Sequence, residues 1–181
     1  MYPITIPGHV VTLRELRPGD VADAHAINGD GRVTQWLSYD SRSRDETAAI
    51  IEGAISRAQL DPRTEYFLAV ADASDRMIGF ARLGLTGVKA AKLGYAINAD
   101  HWGHGYATDA ARTLIQYGFT HLGLHRITAA IGPDNAASIA VAKRLGMQYE
   151  GRLRDHVYTN GAWRDSQLYS ILAHEWPPTG R

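Results

Sequence analysis

The sequence predicts a single α/β domain in which helices cover both faces of a mixed sheet. Strand-like runs alternate with amphipathic helical stretches along the chain, an order typical of that fold class. No repeat, low-complexity tract or linker divides the 181 residues, and this length suits one well-buried core. We therefore predict one domain over residues 1–181, with its core at about residues 10–174.

Seven segments have the apolar patterning of β-strands. They are residues 10–16, 66–71, 78–85, 92–97, 125–131, 148–158 and 166–173. A polar turn joins the second and third segments as a hairpin. Asn160-Gly161, a strong turn dipeptide, joins the last two segments in the same way.

Helices are predicted between these strands from their capping residues. One begins near Val21, and another follows a cap within residues 43–45. Gly105 precedes a third helix, whose apolar residues recur on one face. Asn135 is placed to cap a fourth helix, which ends at Gly146. These helices supply the layers that cover the sheet.

The composition excludes several classes of function. Nineteen basic and nineteen acidic residues give a formal net charge of zero, so nothing indicates a nucleic acid or membrane partner. The absence of cysteine excludes disulfides, thiolate metal ligands and a cysteine nucleophile. The first residues lack the features of a signal peptide, and no apolar run approaches transmembrane length. We expect a cytoplasmic protein.

Histidine is the remaining candidate metal ligand. The eight histidines are scattered, without a ligand pattern on one helix face. The nearest pair, His101 and His104, lies in a glycine-containing segment. Surface or singly hydrogen-bonded histidines explain this distribution better than a metal site. We therefore expect no bound metal.

Residues 94–107, where a strand leads into a glycine-punctuated helix start, are the most informative part of the chain. Gly103 and Gly105 allow a tight turn, so that backbone N–H groups converge on an anion. The positive end of the helix dipole points to the same place, which favours a pyrophosphate. The segment matches neither the dinucleotide fingerprint nor the P-loop. The alternative is a simple turn from sheet to helix.

Three stretches have a recognisable order and spacing. They are Trp-Gly-His-Gly-Tyr-Ala at 102–107, Asp-Asn-Ala-Ala-Ser at 134–138 with Lys-Arg-Leu-Gly-Met at 143–147, and Tyr-Thr-Asn-Gly at 158–161 with Trp163, Asp165 and Tyr169. Together they resemble the GNAT superfamily of acyl-CoA-dependent acetyltransferases, and within it the RimJ/RimL branch of ribosomal-protein N-terminal acetyltransferases. The resemblance implies a mostly antiparallel sheet of seven strands, with the central strands splayed at the cofactor site.

The same resemblance implies acetyl-CoA as co-substrate. Its diphosphate would lie on the amides of residues 103–108, and its pantetheine arm beside residues 96–98. Asn135 would hydrogen-bond the arm. The residues assigned to the cofactor in this way are Ala96, Ile97, Asn98, Trp102, Gly103, His104, Gly105, Tyr106, Ala107, Thr108, Asn135 and Ser138.

The implied reaction is direct attack of an amine on the thioester in a ternary complex. It requires donors for the developing oxyanion and a proton for the leaving thiolate. The backbone N–H groups of Ile97 and Asn98 are the candidate oxyanion donors, and Ser138 is the candidate proton donor. The alternative for Ser138 is a first-turn serine that makes only a local backbone bond.

The general base is not identified. Val157 stands where the ribosomal-protein enzymes carry glutamate, and Lys92 stands where related proteins often carry an acid. His156, Asp155 and Glu65 are weak candidates, each explained better by a surface or packing role. Deprotonation at pH 7 costs about 4.6 kcal/mol for a lysine amine but only about 1.4 for an α-amine. A site without a strong base therefore favours an α-amine.

The acceptor is predicted to be a protein N-terminus or a small-molecule amine. Four aromatic residues are the candidates to line its pocket, namely Trp36, Tyr39, Tyr66 and Trp163. Two other functions stay open: a non-catalytic acyl-CoA sensor, and an antibiotic- or metabolite-modifying enzyme that uses another acyl-CoA. The edge of the C-terminal hairpin also makes a homodimer possible.

Overall fold

The computed structural model describes residues 2–177, which contain one eight-stranded sheet. The strands are β1 (Thr5–Pro7), β2 (Thr12–Glu15), β3 (Glu65–Ala71), β4 (Met77–Leu85), β5 (Ala90–Ile97), β6 (Arg126–Ile131), β7 (Gln148–Thr159) and β8 (Ala162–Leu172). Their order is β1-β2-β3-β4-β5-β6-β8-β7. Neighbouring strands in this part of the chain are antiparallel except β5 and β6.

The sheet has one strand more than the seven predicted. The additional strand is β1, which pairs with β2 from Thr5↔Arg14 to Pro7↔Thr12. Three residues are too few to show an alternating apolar pattern, so periodicity does not reveal this strand. The seven predicted strands are otherwise present, with ends shifted by a few residues.

Five helices accompany the sheet within the described residues. They are α1 (Val21–Asn28), α2 (Gly31–Thr34), α3 (Arg44–Ala58), α4 (Tyr106–Thr120) and α5 (Ala136–Arg144). Ser43 caps α3, where its hydroxyl accepts from the N–H of Glu46 at 3.2 Å and the Glu46 carboxylate accepts in return. Asn135 caps α5 as predicted.

Two apolar cores lie on opposite faces of the sheet. On one face, which we call the donor face, Leu114 and Ile115 of α4 pack with Leu83 of β4. On the other, the acceptor face, Ile27 of α1 and Ile51 of α3 pack with β-strand side chains. Helices therefore cover both faces of the sheet, as the sequence predicts.

The central strands β5 and β6 separate after a short parallel contact. Their pairing runs from Ala90↔Arg126 to Lys92↔Thr128, although β5 continues to Ile97. Beyond this point β6 remains paired with β8 as far as Ile131↔Gln167. The second half of β5 thus has one edge open toward β6.

Residues 2–177 contain neither a membrane-spanning helix nor a cluster of metal-ligand side chains. None of the helices there has both the length and the apolar character needed to cross a membrane. The same residues contain no group of three or more His, Cys, Asp or Glu side chains arranged to hold a metal ion.

Candidate active site

The loop before α4 presents a row of free backbone N–H groups. Gly103 and Gly105 have φ values of 81° and 77°, which favour glycine, and no atom lies within 4 Å of a Cβ built on either residue. The N–H of Asp109 bonds the carbonyl of Gly105 at 3.0 Å. In residues 2–177, no N–H from 103 to 108 donates to a protein acceptor. The loop is therefore built to receive an anion.

Two arginines that the sequence did not single out stand beside this loop. A cleft of about 470 Å³ is lined by Gly103, Gly105 and Thr108, and also by Arg112 of α4 and Arg144 of α5. Arg144 belongs to the recognised stretch at 143–147, but the two arginines come from different helices, so local spacing does not show that they meet. They supply positive charge next to the free N–H groups, as a polyphosphate requires.

A buried carboxylate closes the other side of this cleft. Asp109 accepts from three consecutive N–H groups of the N-terminal loop, those of His9 (3.1 Å), Val10 (2.8 Å) and Val11 (3.0 Å). Gly8 is needed for this approach, because a Cβ there would lie 2.7 Å from the Asp109 carboxylate. The loop is thereby held against α4.

The register of β5 decides which of its backbone groups face the gap toward β6. The N–H of Asn98 bonds the carbonyl of Ile78 at 2.9 Å, so Asn98 is committed to β4. Hydrogen bonding alternates along an antiparallel pair, and the groups of Ile97 and Tyr95 therefore point into the gap. Trp102 confirms this direction, because its indole N–H donates to the Ile97 carbonyl at 2.8 Å.

This register corrects two predictions. The N–H of Asn98 is not free to bind an oxyanion, because it is already bonded to β4. Ala96 faces β4 with its backbone and packs its side chain into the acceptor-face core. The open backbone positions are Tyr95 and Ile97, so Ile97 keeps its predicted place and Tyr95 takes the place of Ala96 and Asn98.

Ser138 lies in the first turn of α5, on the far side of the gap. Its N–H donates to the Asn135 side-chain oxygen at 3.1 Å, which fixes both residues at the helix start. Its side chain is half-buried. The amide nitrogen of Asn135 is not used by this cap, so it is available to a ligand in the gap.

Tyr95 carries a buried hydroxyl that forms no hydrogen bond in residues 2–177. Burial raises the pKa of this phenol, and the neighbouring Ser138 hydroxyl offsets part of the rise without making a full hydrogen bond. An unpartnered hydroxyl is costly inside a protein. Sequence reasoning missed Tyr95, although its place in a strand next to the glycine loop is visible in the sequence.

Glu65 is not a free base. Its carboxylate is bonded by Arg57 at 2.9 Å and by Arg82. Burial alone would raise the pKa of Glu65, but the bonds from the two arginines outweigh it and lower the pKa below its usual value. A carboxylate paired in this way is a poor acceptor for an amine proton.

His156 and Asp155 lie in an irregular part of β7 that borders a cleft of about 900 Å³. The His156 ring Nδ1 is 2.9 Å from the Ser166 hydroxyl. Burial and, after it, the charge of Lys92 lower the pKa of His156 below its usual value. Asp155 has a positive φ of 45° and donates its N–H to Asp165.

Three of the four aromatic residues predicted to line the acceptor pocket lie in or beside one anchored segment. Arg164 of β8 donates to the carbonyls of Gln35 and Leu37 at 2.6 and 2.5 Å, which fixes the chain on either side of Trp36. Tyr39 donates to Asn28 at 2.8 Å, and Trp163 precedes Arg164 and is 61% exposed.

Tyr66 does not join this group. It is 8% exposed, lies in the donor-face core and stacks edge-to-face on Tyr117 of α4 at 5.8 Å. Neighbouring residues of a strand point to opposite faces, so Tyr66 is directed away from the acceptor face that Glu65 occupies. We therefore assign Tyr66 to the core and not to the acceptor pocket.

The sequence and the fold match those of known proteins. The family model described as an acetyltransferase (GNAT) domain matches residues 11–148. The chain belongs to the GNAT acetyltransferases. An uncharacterized N-acetyltransferase, YnaD of Bacillus subtilis, is 36% identical over 173 residues, covering 93% of this chain and 99% of that protein. This GNAT chain is accordingly an N-acetyltransferase.

Two further relatives carry more specific names. The RimJ structure of Mycobacterium smegmatis, in complex with CoA-disulfide, superposes with a TM-score of 0.86 at 26% identity, covering 98% of this chain and 92% of that one. The spermidine N(1)-acetyltransferase of Vibrio cholerae is 25% identical over 169 residues, covering 92% of this chain and 95% of that protein. CoA binding is thus recorded within this GNAT family.

Proposed function

We propose that this enzyme transfers the acetyl group of acetyl-CoA to an α-amine by direct attack in a ternary complex. One observation carries the proposal. The free N–H groups of residues 103–108 lie at the end of β5, whose open edge faces Ser138 across the gap. The anion-binding loop, the open strand edge and the Ser138 hydroxyl thus follow one another in space. The diphosphate, the pantetheine arm and the thioester follow one another in the same order along acetyl-CoA.

The residues present fit this donor. The diphosphate occupies the N–H groups of the loop, where Arg112 and Arg144 add positive charge. The amide groups of the pantetheine arm pair with the open edge of β5 at Tyr95, since the Ile97 carbonyl is already bonded by Trp102. Asn135 donates its side-chain amide to the arm. The thioester then reaches the start of α5.

The chemistry needs a donor for the oxyanion, an acid for the leaving thiolate and an acceptor for the amine proton. The amine nitrogen attacks the thioester carbon, and the N–H of Ile97 stabilises the resulting oxyanion. The C–S bond then breaks, and the CoA thiolate takes a proton from the Ser138 hydroxyl, directly or through water. The amine proton passes to water, and Ser138 is reprotonated from solvent. Acetylated amine and CoA are the products.

The acceptor side favours an amine that is neutral without the help of a carboxylate. Glu65 is paired with arginines, Val157 occupies the position of the branch's glutamate, and His156 has a lowered pKa. An amine with a pKa near 8 is about 10% neutral at pH 7, whereas a lysine near 10.4 is neutral in fewer than about one molecule in a thousand. These groups support an α-amine.

The experiment is to measure CoA release from acetyl-CoA with three acceptors: a peptide with a free α-amine and blocked lysines, a peptide of the same sequence with a blocked α-amine and free lysines, and spermidine. We expect release with the free α-amine to be fastest. Tight binding of acetyl-CoA without release on any of the amines would contradict the proposal. Faster release with lysine or spermidine would contradict the choice of acceptor.

A further inference from the structure

On the acceptor face, the sheet surface has open space between two cationic side chains. We call this surface, formed by Arg82, Gly84, Lys92 and Gly94, the floor. On this face Arg82 of β4 lies directly opposite Gly94 of β5, and Lys92 of β5 lies opposite Gly84 of β4. A Cβ at Gly94 would meet nothing within 4 Å, and one at Gly84 would meet only the Arg82 guanidinium. The two glycines thus leave space for a ligand beside Arg82 and Lys92.

Positive charge exceeds negative charge around this floor. Arg82 and Arg57 share one carboxylate, that of Glu65. Arg42 is not paired with a carboxylate in residues 2–177, and its guanidinium lies 4.1 Å above the ring of Tyr39. In the same residues Lys92 forms no ion pair. The excess is local, since the whole chain has nineteen charges of each sign.

Such a floor discriminates among amines. A polycation is repelled by Arg82 and Lys92, whereas a carboxylate near the reacting amine gains two cationic partners. The same cations disfavour the ammonium form of the amine, because like charges a few ångströms apart destabilise each other. They therefore raise the neutral fraction that the attack requires, in a site where two arginines hold the Glu65 carboxylate.

We propose that the acceptor is an amine that also carries a carboxylate, and that Lys92 and Arg82 bind this carboxylate above Gly94. The inference rests on the proposed function, since it names the class of substrate for the same site. The carboxylate has two possible sources, an acidic residue next to a peptide N-terminus or the α-carboxylate of a free amino acid.

Matched acceptors test the proposal. C-terminally amidated peptides Ser-Glu-Ala and Ser-Gln-Ala differ by one carboxylate, and free serine and serinamide differ in the same way. Each kcat/KM is divided by the neutral fraction of that amine at the assay pH. We expect a preference for the carboxylate of about tenfold in one of the two pairs, and that pair identifies the source.

The variant Lys92→Gln should reduce this preference to about two- to threefold. Lys89→Gln is the matched control, because Lys89 is an exposed lysine of the loop before β5 and should leave the preference unchanged. Equal rates within both pairs, or a preference that survives in Lys92→Gln, would overturn the proposal. Failure to acetylate any of the four amines would instead count against the proposed function.

A second inference follows from the unpartnered hydroxyl of Tyr95. We infer that Tyr95 is a positioning residue, whose O–H donates to the Ser138 oxygen when Ser138 gives its proton to the thiolate. The hydroxyl is buried and unbonded, and Ser138 is its polar neighbour at the start of α5. A donor aimed at the serine oxygen stabilises the negative charge that develops there.

Tyr95→Phe separates this role from a structural one. Because the hydroxyl has no hydrogen-bond partner among residues 2–177, its loss should leave the melting temperature unchanged or higher. The variant should lower kcat about five- to tenfold at an unchanged Kd for acetyl-CoA, and should have no further effect in a Ser138→Ala background. Tyr149→Phe, at an exposed tyrosine, is the control. The assignment would be refuted by an unchanged kcat in Tyr95→Phe. It would also be refuted if Tyr95→Phe lowered kcat by the same factor in the Ser138→Ala background.

Discussion

The two sides of the active site are built from different parts of the chain. The proposed donor side consists mainly of backbone groups, namely the N–H groups of residues 103–108 and the open edge of β5, with the side chains of Arg112 and Arg144 beside them. The acceptor side consists of side chains from separate elements, among them Arg82, Lys92 and Trp36. Backbone groups recognise a donor shared by a whole family, whereas side chains vary with the acceptor.

The comparison also explains why the two sides differ in what a substitution does. In the glycine loop of the donor side, a substitution weakens binding because the new side chain disfavours the backbone conformation of the loop. On the acceptor side, a substitution acts because the original side chain's charge or shape is lost. The following predictions separate these effects, from the largest to the smallest.

Ser138→Ala should produce the largest effect, since it removes the proton donor for the leaving thiolate. We expect kcat to fall about 100-fold, in the range typical of a lost general acid, with little change in the Kd for acetyl-CoA. Steady-state kinetics and calorimetric titration measure the two quantities. Ser56→Ala, on the exposed surface of α3, is the control. Unchanged turnover in Ser138→Ala would remove the serine from the mechanism.

Gly105→Val should weaken acetyl-CoA binding about 30-fold, because valine disfavours the φ of 77° and fills the anion site. Calorimetric titration measures this. Gly87→Val is a matched control, since Gly87 also has a positive φ of 62° and open space around it, in the loop after β4. It should cost similar stability but leave the Kd unchanged. Equal affinities in the two variants would show that the backbone loop does not bind the donor.

Asp109→Asn should reduce the free energy of unfolding by about 1–3 kcal/mol. The carboxylate now accepts hydrogen bonds from three N–H groups of the N-terminal loop. In the variant an amide NH₂ group, which cannot accept, would face some of these N–H groups. Because this loop borders the anion cleft, we also expect the Kd for acetyl-CoA to rise a few-fold. Urea denaturation followed by titration measures both. Unchanged stability would mean that the loop is held by other contacts.

Glu150→Gln should have the smallest effect, confined to acid stability. Arg126 first, and then the Ser170 hydroxyl, lower the pKa of Glu150 from 4.5 to about 2. A lowered pKa stabilises the fold above pH 4.5, and this contribution is lost as the pH falls toward about 2. Both side chains are one-third exposed, so the contribution is under about 1 kcal/mol. In thermal melts across this pH range, the melting temperature of Glu150→Gln should fall less steeply with decreasing pH than that of the control Glu52→Gln.

The contrast between the two sides also sets how much the sequence could predict. Gly103, Gly105, Asn135 and the splayed strands follow from local spacing and from the family resemblance, because the backbone conformations that they need are local. β1 was missed because three residues carry no period. Register was missed by one residue at Asn98, since hydrogen-bond parity depends on the partner strand.

Most of the site features that could not be predicted from the sequence depend on tertiary contacts. Glu65 is an ordinary acidic residue until Arg57 and Arg82 approach it from α3 and β4. Arg144 joins the anion cleft only when α5 packs beside the α4 loop. Tyr66 has the composition of a pocket residue, but strand alternation directs it into the core.

Mapping of the acetyl group tests the central claim most directly. A peptide with a free α-amine and one internal lysine is incubated with enzyme and acetyl-CoA at pH 7, and the modified nitrogen is located by fragmentation mass spectrometry. The account predicts acetylation of the α-amine about 200-fold faster than of the lysine, following their neutral fractions. Faster acetylation of the lysine would contradict it.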